Sequence, residues 1–295
     1  MKLRLIVAAA FAAFAACAAA QTEIKFGHVG EPGSLFAASA EEFAKRANAK
    51  LGGKAKVVVY GSSQLGGDKE LLQKLKLGTV DIALPSTVMS SEADLFGVFE
   101  MPYLIVSRAH MKKAADTKQI QTQLLGALPA KGMRLLGVWE NGFRHITNNV
   151  RPIVRPEDLK GIKLRVPGGV WRVKMFQAYG ANPSPMPFAE VYSALQSGVM
   201  DAQENPFSQI FSAKFHEVQK FLSLTGHVYT PAFLIVSEDF WKKQPKDIQD
   251  TIARIARDTG DFARAEGERL DRELQSRLAP PMKSNEPDKE AFIKA

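Results

Sequence analysis

Twice along this chain, short apolar runs that read as strands alternate with segments of helical period. Glu23–Val29, Val57-Val58-Val59-Tyr60 and Asp81-Ile82-Ala83-Leu84 are the first extended runs. Between the first two, Phe36, Ala40, Phe43, Ala44, Ala47 and Leu51 recur at helical spacing behind Ser34, an N-cap residue, and Gly52-Gly53 stops the helix. The glycine-rich loop Gly61–Gly67 leads into a second helix from Asp68, with Leu71, Leu72 and Leu75 inside and Gly78 at its end. Such alternation predicts an α/β fold with a mostly parallel sheet and helices on both faces. A single helix over 107–127 and strands at Met133–Trp139 and Phe143–Thr147 extend the series. Pro152, Pro156 and Gly161 mark a joint, after which the pattern restarts. It runs strand Ile162–Val166, helix 170–180, strand 182–186, helix 188–197, strand 200–204, helix 206–214 and strands 218–224 and 228–236. Last comes one long helix from Pro245 to Leu278, its apolar face carrying Ile248, Ile252, Ile255, Phe262, Leu270 and Leu274 and interrupted by Gly260 and Gly267. A helix of that length predicts an element shared by both halves.

The N-terminus reads as a secretory leader. Lys2 and Arg4 form a basic start, Leu5 to Ala16 an apolar stretch, and Ala18-Ala19-Ala20 a small-residue cleavage site before Gln21. The competing reading is a lipid anchor on Cys17, preceded by Phe14-Ala15-Ala16. Cys17 is the single cysteine, so cleavage leaves a chain with neither disulfide nor thiolate metal site. Charge excludes one class of partner. The formal +8 falls to +6 once Lys2 and Arg4 are removed, and the basic residues are dispersed, with no cationic stripe interleaved with aromatics for nucleic acid. A basic balance favours anionic ligands by steering.

No catalytic set assembles. Gly61–Gly67 (GSSQLGG) lacks the lysine of a phosphate-cradling loop, and no nucleophile elbow or HExxH is present. His28, His110, His145, His216 and His227 lack metal-ligand spacing, so no cofactor or metal is expected.

Arg165 is the foremost binding candidate. In Ile162-Lys163-Leu164-Arg165-Val166, period two separates the apolar face from Lys163 and Arg165, and Pro167-Gly168-Gly169 then turns the chain into a helix. Arg165 therefore stands at a strand's C-terminal end, where open α/β sheets bind ligands, beside the free N–H groups of a helix N-terminus. A guanidinium fork matches a carboxylate. The alternative is an arginine paired with an acidic neighbour across the sheet. Arg144, just after Asn141-Gly142, is a second basic candidate. Asn205 is the polar one, held extended by Pro206.

These residues lie in segments that resemble a known family. YGSSQLGGDKELLQKLKLGTVDIA at 60–83, NGFRHITNN at 141–149, LKGIKLRVPGG at 159–169, YGANPSPMPFAEVYSALQSGVMDAQENPF at 179–207 and KFHEVQKFLSLTGHVYTPAFLIVS at 214–237 occur in the order seen in the DctP family. These are the substrate-binding proteins of tripartite ATP-independent periplasmic (TRAP) transporters. The resemblance implies a two-lobed periplasmic-binding-protein fold with crossing strands and a long C-terminal helix spanning both lobes. Residues 21–143 plus 231–260 would form one lobe and 144–230 plus 261–295 the other, with an organic acid enclosed between them. It implies ligand contacts by Arg165, Arg144, Asn205 and Asp68, with Phe188 on the pocket wall. Its partners would be the small and large membrane subunits of an ion-driven transporter, and the binding protein is expected as a periplasmic monomer. Pro85-Ser86-Thr87 stands where the sialic-acid branch has a glutamate, which disfavours sialic acid. Val29, Trp171 beside the arginine loop, and Tyr229 suggest a partly apolar pocket, suited to a hydroxy, keto or aromatic monocarboxylate, with a four-carbon dicarboxylate as alternative. The chain ends at Ala295, sooner than family members usually do, so a reduced terminal element is expected. Two other classes compete: a periplasmic enzyme using Asp68 or Tyr229 as base, and a ligand-sensing subunit of a receptor.

Overall fold

The computed structural model describes residues 22–53 and 55–295, so the leader, Cys17 and Gln21 lie outside the described residues. The chain opens with β1 (Thr22–Gly27), α1 (Leu35–Lys50) and β2 (Ala55–Tyr60), followed by α2 (Asp68–Lys76) and β3 (Ile82–Ala83). Ser34 caps α1 as its spacing predicts, its hydroxyl accepting from the Ala37 N–H at 3.2 Å. Two 3₁₀ stretches, Thr87–Ser91 and Asp94–Glu100, precede α3 (Arg108–Ala115) and α4 (Lys118–Ala127). The single helix expected over 107–127 is thus two, because Thr117 caps a new start by accepting from the Ile120 N–H. β4 (Met133–Phe143) runs almost directly into β5 (His145–Asn148).

The second series follows the expected order: β6 (Lys163–Val166), α5 (Val170–Ala178), β7 (Asn182–Pro185), α6 (Val191–Gln196), β8 (Ala202–Asn205) and α7 (Phe207–Ser212). β9 (Phe221–Ser223), β10 (Tyr229–Ser237), α8 (Glu238–Lys243), the long α9 (Lys246–Leu278), β11 (Lys283–Asn285) and α10 (Lys289–Lys294) complete the chain.

The strands form two sheets, ordered β2-β1-β3-β10-β4 and β11-β9-β5-β8-β6-β7. Each is mixed, which corrects the mostly parallel expectation. β10 runs antiparallel to β3 and β4, and β5 antiparallel to β8 and β9. The cause is the crossing. β4 leaves the first sheet to become β5 of the second, and β10 returns, so both must oppose the parallel strands they join. At the crossing Tyr229 pairs with Phe143, and the Arg144 N–H donates to the Val228 carbonyl at 2.9 Å.

Each sheet carries its own core. Phe26, Phe43 and Trp139 meet edge to face or tilted in the first, while Ile146, Leu164, Phe176, Tyr179 and Phe292 pack in the second. The two glycines that interrupt the apolar face of α9 allow it close to β4. A Cβ at Gly260 would stand 3.2 Å from Trp139, and one at Gly267 only 2.4 Å from the Glu140 carboxylate. Further along the same helix, the Arg277 guanidinium lies 4.2 Å from the Phe211 ring centroid in α7, so α9 does touch both sheets' layers.

Candidate functional site

The carboxyl ends of strands from both sheets converge on one narrow cavity. From the first sheet's side come Val29 and Phe36 after β1, Asp68 at the start of α2, Ser86, Thr87 and Val88 after β3, and Asn141 near the end of β4. From the second come Arg144, Arg165 and Pro167 after or at the end of strands, Phe188, Asn205 and Gln209. This is the position where sheets of this kind bind ligands. The space is about 30 Å³, room for roughly two waters, so a solute larger than that enters only if the walls part.

Arg165 is buried, and its guanidinium is braced from one side. Nε and Nη2 donate to the Met186 carbonyl at 2.9 and 2.6 Å, and the charge lies 6.0 Å from the Phe188 ring centroid. Burial, with Arg144 nearby, lowers its pKa to about 10, which leaves it cationic at neutral pH. Opposite stands Asp68. Its Oδ1 is buried without a hydrogen-bond partner among the described residues. Burial pushes its carboxyl up to about 6 although the Arg165 charge pulls it down.

A folded-state pKa raised above the unfolded value gives stability that is present at low pH and lost as pH rises through the folded pKa. We therefore expect the melting temperature of Asp68→Asn minus that of the wild type to grow more positive from about pH 4 to pH 7 without ligand. A pH-independent difference in differential scanning fluorimetry would refute the buried, unpaired assignment of Asp68.

Arg144 also lines the cavity, but its charge is already engaged. Nε donates to Glu204 Oε2 at 2.5 Å, and Nη2 donates to the Glu204 carboxylate, to the Glu204 carbonyl and to Asn205 Oδ1. Asn205 in turn donates to Gln203 Oε1 at 2.6 Å. Arg172 on α5 joins the same carboxylate through Nη1 at 2.8 Å, and its Nε and Nη2 reach Glu100 Oε2 at 3.1 and 2.7 Å. His227 Nε2 completes the set 3.0 Å from Glu204 Oε2. Burial alone would raise the Glu204 carboxyl, yet Arg144 and Arg172 hold it well below the usual carboxylate range. Glu204, Glu100 and Arg172 were not singled out by the sequence reading, and His227 only as a histidine without metal-ligand spacing. Glu204 sits inside the quoted QENP segment, but only a structure shows that two separate elements deliver guanidiniums to it and a third an imidazole.

The structure brings Arg165, Asp68, Asn205, Arg144 and Phe188 to the cavity and does not bring Trp171 or Tyr229 there. Tyr229 donates its hydroxyl to Glu140 at 2.9 Å and packs edge to face on Phe143, so it belongs to the crossing strands. Trp171 lies instead against Gly97. Without these rings the wall is more polar than the sequence suggested. Three further residues on it, Thr87, Asn141 and Gln209, each carry a buried oxygen without a hydrogen-bond partner among the described residues.

Two α/β lobes joined by crossing strands, with a buried arginine in the cleft between them, define a solute-binding protein. Residues 26–295 match the family described as bacterial extracellular solute-binding protein, family 7 (DctP), and the chain belongs to that family. It is 33% identical over 269 residues to the 2,3-diketo-L-gulonate-binding periplasmic protein of Escherichia coli, covering 90% of this chain and 82% of that one. Among solved structures, a TRAP periplasmic solute-binding protein of Polaromonas sp. bound to D-erythronate superposes with a TM-score of 0.89. It has 33% identity and covers 93% of this chain and 91% of that chain. A Sulfurospirillum deleyianum homologue with bound succinate gives 0.88 at 35% identity, covering 93% and 92%. The family is periplasmic, serves transport and works with membrane transporter subunits. Among the described residues, no helix is long and apolar enough to cross a membrane.

Proposed function

We propose that this protein captures a polyhydroxylated monocarboxylate in the periplasm and delivers it to a TRAP transporter, acting as a monomer after removal of its leader before Gln21. Relatives of similar identity carry a sugar acid in one case and succinate in the other, so likeness does not choose between them. The cavity wall favours the first. The observation that carries the reading is the set of unpaired buried oxygens on Asp68, Thr87, Asn141 and Gln209, lining the same cavity as Arg165. A carboxylate oxygen and amide carbonyls accept hydrogen bonds, and burying them unpaired costs about 1–3 kcal/mol each. A ligand that turns its carboxylate to Arg165 and its hydroxyls to these oxygens removes that cost. A second carboxylate turned the same way meets Asp68 as a like charge. Asn205 and Arg144 steady the carboxylate end, and Phe188 closes the wall behind Arg165.

In this reading the first lobe is residues 21–143 plus 231–260, and the second 144–230 plus 261–295. They hinge where the chain crosses, near Phe143-Arg144 and Tyr229–Pro231. Opening exposes a half-site on each lobe, and a bound acid then favours closure.

A thermal-shift screen tests the ligand class, since a ligand at ~100 times its dissociation constant adds about 2.7 kcal/mol of stability. Four- to six-carbon aldonates such as D-erythronate and D-galactonate are expected to raise the melting temperature more than succinate, fumarate or malate. A screen that returned only dicarboxylates would overturn the assignment of the four oxygens as hydroxyl acceptors.

A further inference from the structure

Trp171 and Arg172 are adjacent residues in the first turn of α5, on the second sheet's side, yet both reach the 3₁₀ stretch Asp94–Glu100 on the first. That stretch is fixed to the first lobe by Phe96 and Phe99, which pack on Phe233 of β10 at ring-centroid distances of 4.8 and 5.6 Å. The Trp171 indole lies so close to the bare backbone of Gly97 that a Cβ there would stand 2.5 Å from Nε1 and 2.8 Å from Cδ1. One turn further on, Glu100 receives two hydrogen bonds from Arg172, and both side chains are buried. Beside them the Pro167-Gly168-Gly169 loop meets the first lobe too, with a Cβ at Gly169 placed 3.0 Å from Ser90 Oγ. None of Gly97, Glu100, Trp171 and Arg172 lines the cavity.

We propose that Trp171 and Arg172 form a closure clamp on Gly97 and Glu100. These positioning residues set how readily the lobes close without touching the ligand. The indole supplies an apolar contact that only glycine at position 97 admits. The guanidinium supplies a directional one, and its other arm, on Glu204 of β8, ties the clamp to the carboxylate that also holds Arg144 at the crossing. Because the contacts are made between the lobes themselves, they act whichever acid fills the cavity, and they bias the protein toward closure before one arrives.

Gly97 has no positive φ, so alanine fits its backbone, and the three atoms nearest its Cβ all belong to the Trp171 indole. The test is pulsed electron-spin resonance on the whole protein, with one spin label on Lys50→Cys of α1 and one on Gln177→Cys of α5. Measurements are made without ligand and with 10 mM D-erythronate. The wild type is expected to show a short-distance component that Gly97→Ala reduces at least about fivefold, the lower end of an overpacking penalty. Glu100→Gln is expected to reduce it less. In a Trp171→Ala background, adding Gly97→Ala is expected to change nothing further. A wild type without a short component under either condition would overturn the clamp. So would a Gly97→Ala variant that keeps the component, or one whose loss persists without the indole. A short component present without ligand and unchanged by D-erythronate would count against the hydroxy-acid reading and leave the clamp standing.

Discussion

Arg165→Ala is expected to abolish tight binding while leaving the fold intact, and Arg165→Lys to recover only part of it. Arg165 sits at the end of β6, where the chain turns away through Pro167, so truncation removes little core packing. What it removes is a cation fixed in place by the Met186 carbonyl and the Phe188 ring, with Nη1 free of hydrogen bonds to the described residues. Leaving the ligand carboxylate without that partner in a site closed to water costs on the order of 2–5 kcal/mol. At about 1.4 kcal/mol per decade, this is roughly 30-fold to several-thousand-fold in affinity. Lysine keeps the charge, but one ammonium cannot both hold Met186 with two N–H groups and offer the carboxylate a planar fork. Calorimetry on the best ligand of the screen, beside circular dichroism of each variant, measures both parts. Binding by Arg165→Ala within threefold of the wild type would make the arginine structural and displace the site.

What the sequence revealed and what it hid follow from the range of each signal. The strand ending at Arg165 is legible because its alternation and its Pro-Gly-Gly turn are contained in a few residues. The 33-residue α9 is legible because its apolar face repeats through the whole segment. Asp94–Glu100 gave no signal, since a 3₁₀ stretch has neither a helical nor an alternating period. Its role depends on α5, which is more than sixty residues away in sequence. Trp171 illustrates the same limit: nearness to the arginine loop in sequence suggested a pocket wall, but the helical turn that begins at Val170 swings the indole onto Gly97. Tyr229 likewise reads as an aromatic near a strand end, and only the pairing of β10 with β4 shows its hydroxyl already occupied by Glu140. Asn141, Thr87 and Gln209 are ordinary polar residues until three elements bring their oxygens to one wall. Resemblance pointed to strands whose ends line the cavity, and packing decided which neighbours face it.

Glu204 carries the largest expected effect on stability. It lies at the centre of a buried set in which two guanidiniums, Arg144 and Arg172, balance two carboxylates, Glu100 and Glu204. His227, whose pKa is lowered chiefly by burial, adds a hydrogen bond to Glu204. Exchanging the whole set for apolar residues could be neutral, because burying ions costs as much as their attraction returns. Removing one carboxylate alone is different, since it leaves an uncompensated cation with no route to water. That imbalance costs about 3–5 kcal/mol. For a protein of this size each kcal/mol moves the melting temperature by about 2–4 °C, so Glu204→Gln should lower it by on the order of 10 °C. Charge balance, not shape, is the cause, and this is separable. Glu204→Gln combined with Arg172→Gln leaves Arg144 facing Glu100 at zero net charge, and should melt higher than the sum of the single losses predicts. Thermal unfolding of the two single variants and the double variant completes the cycle. Strict additivity, or a fall of under about 2 °C for Glu204→Gln, would mean that solvent reaches these charges and that the set does not act as a unit.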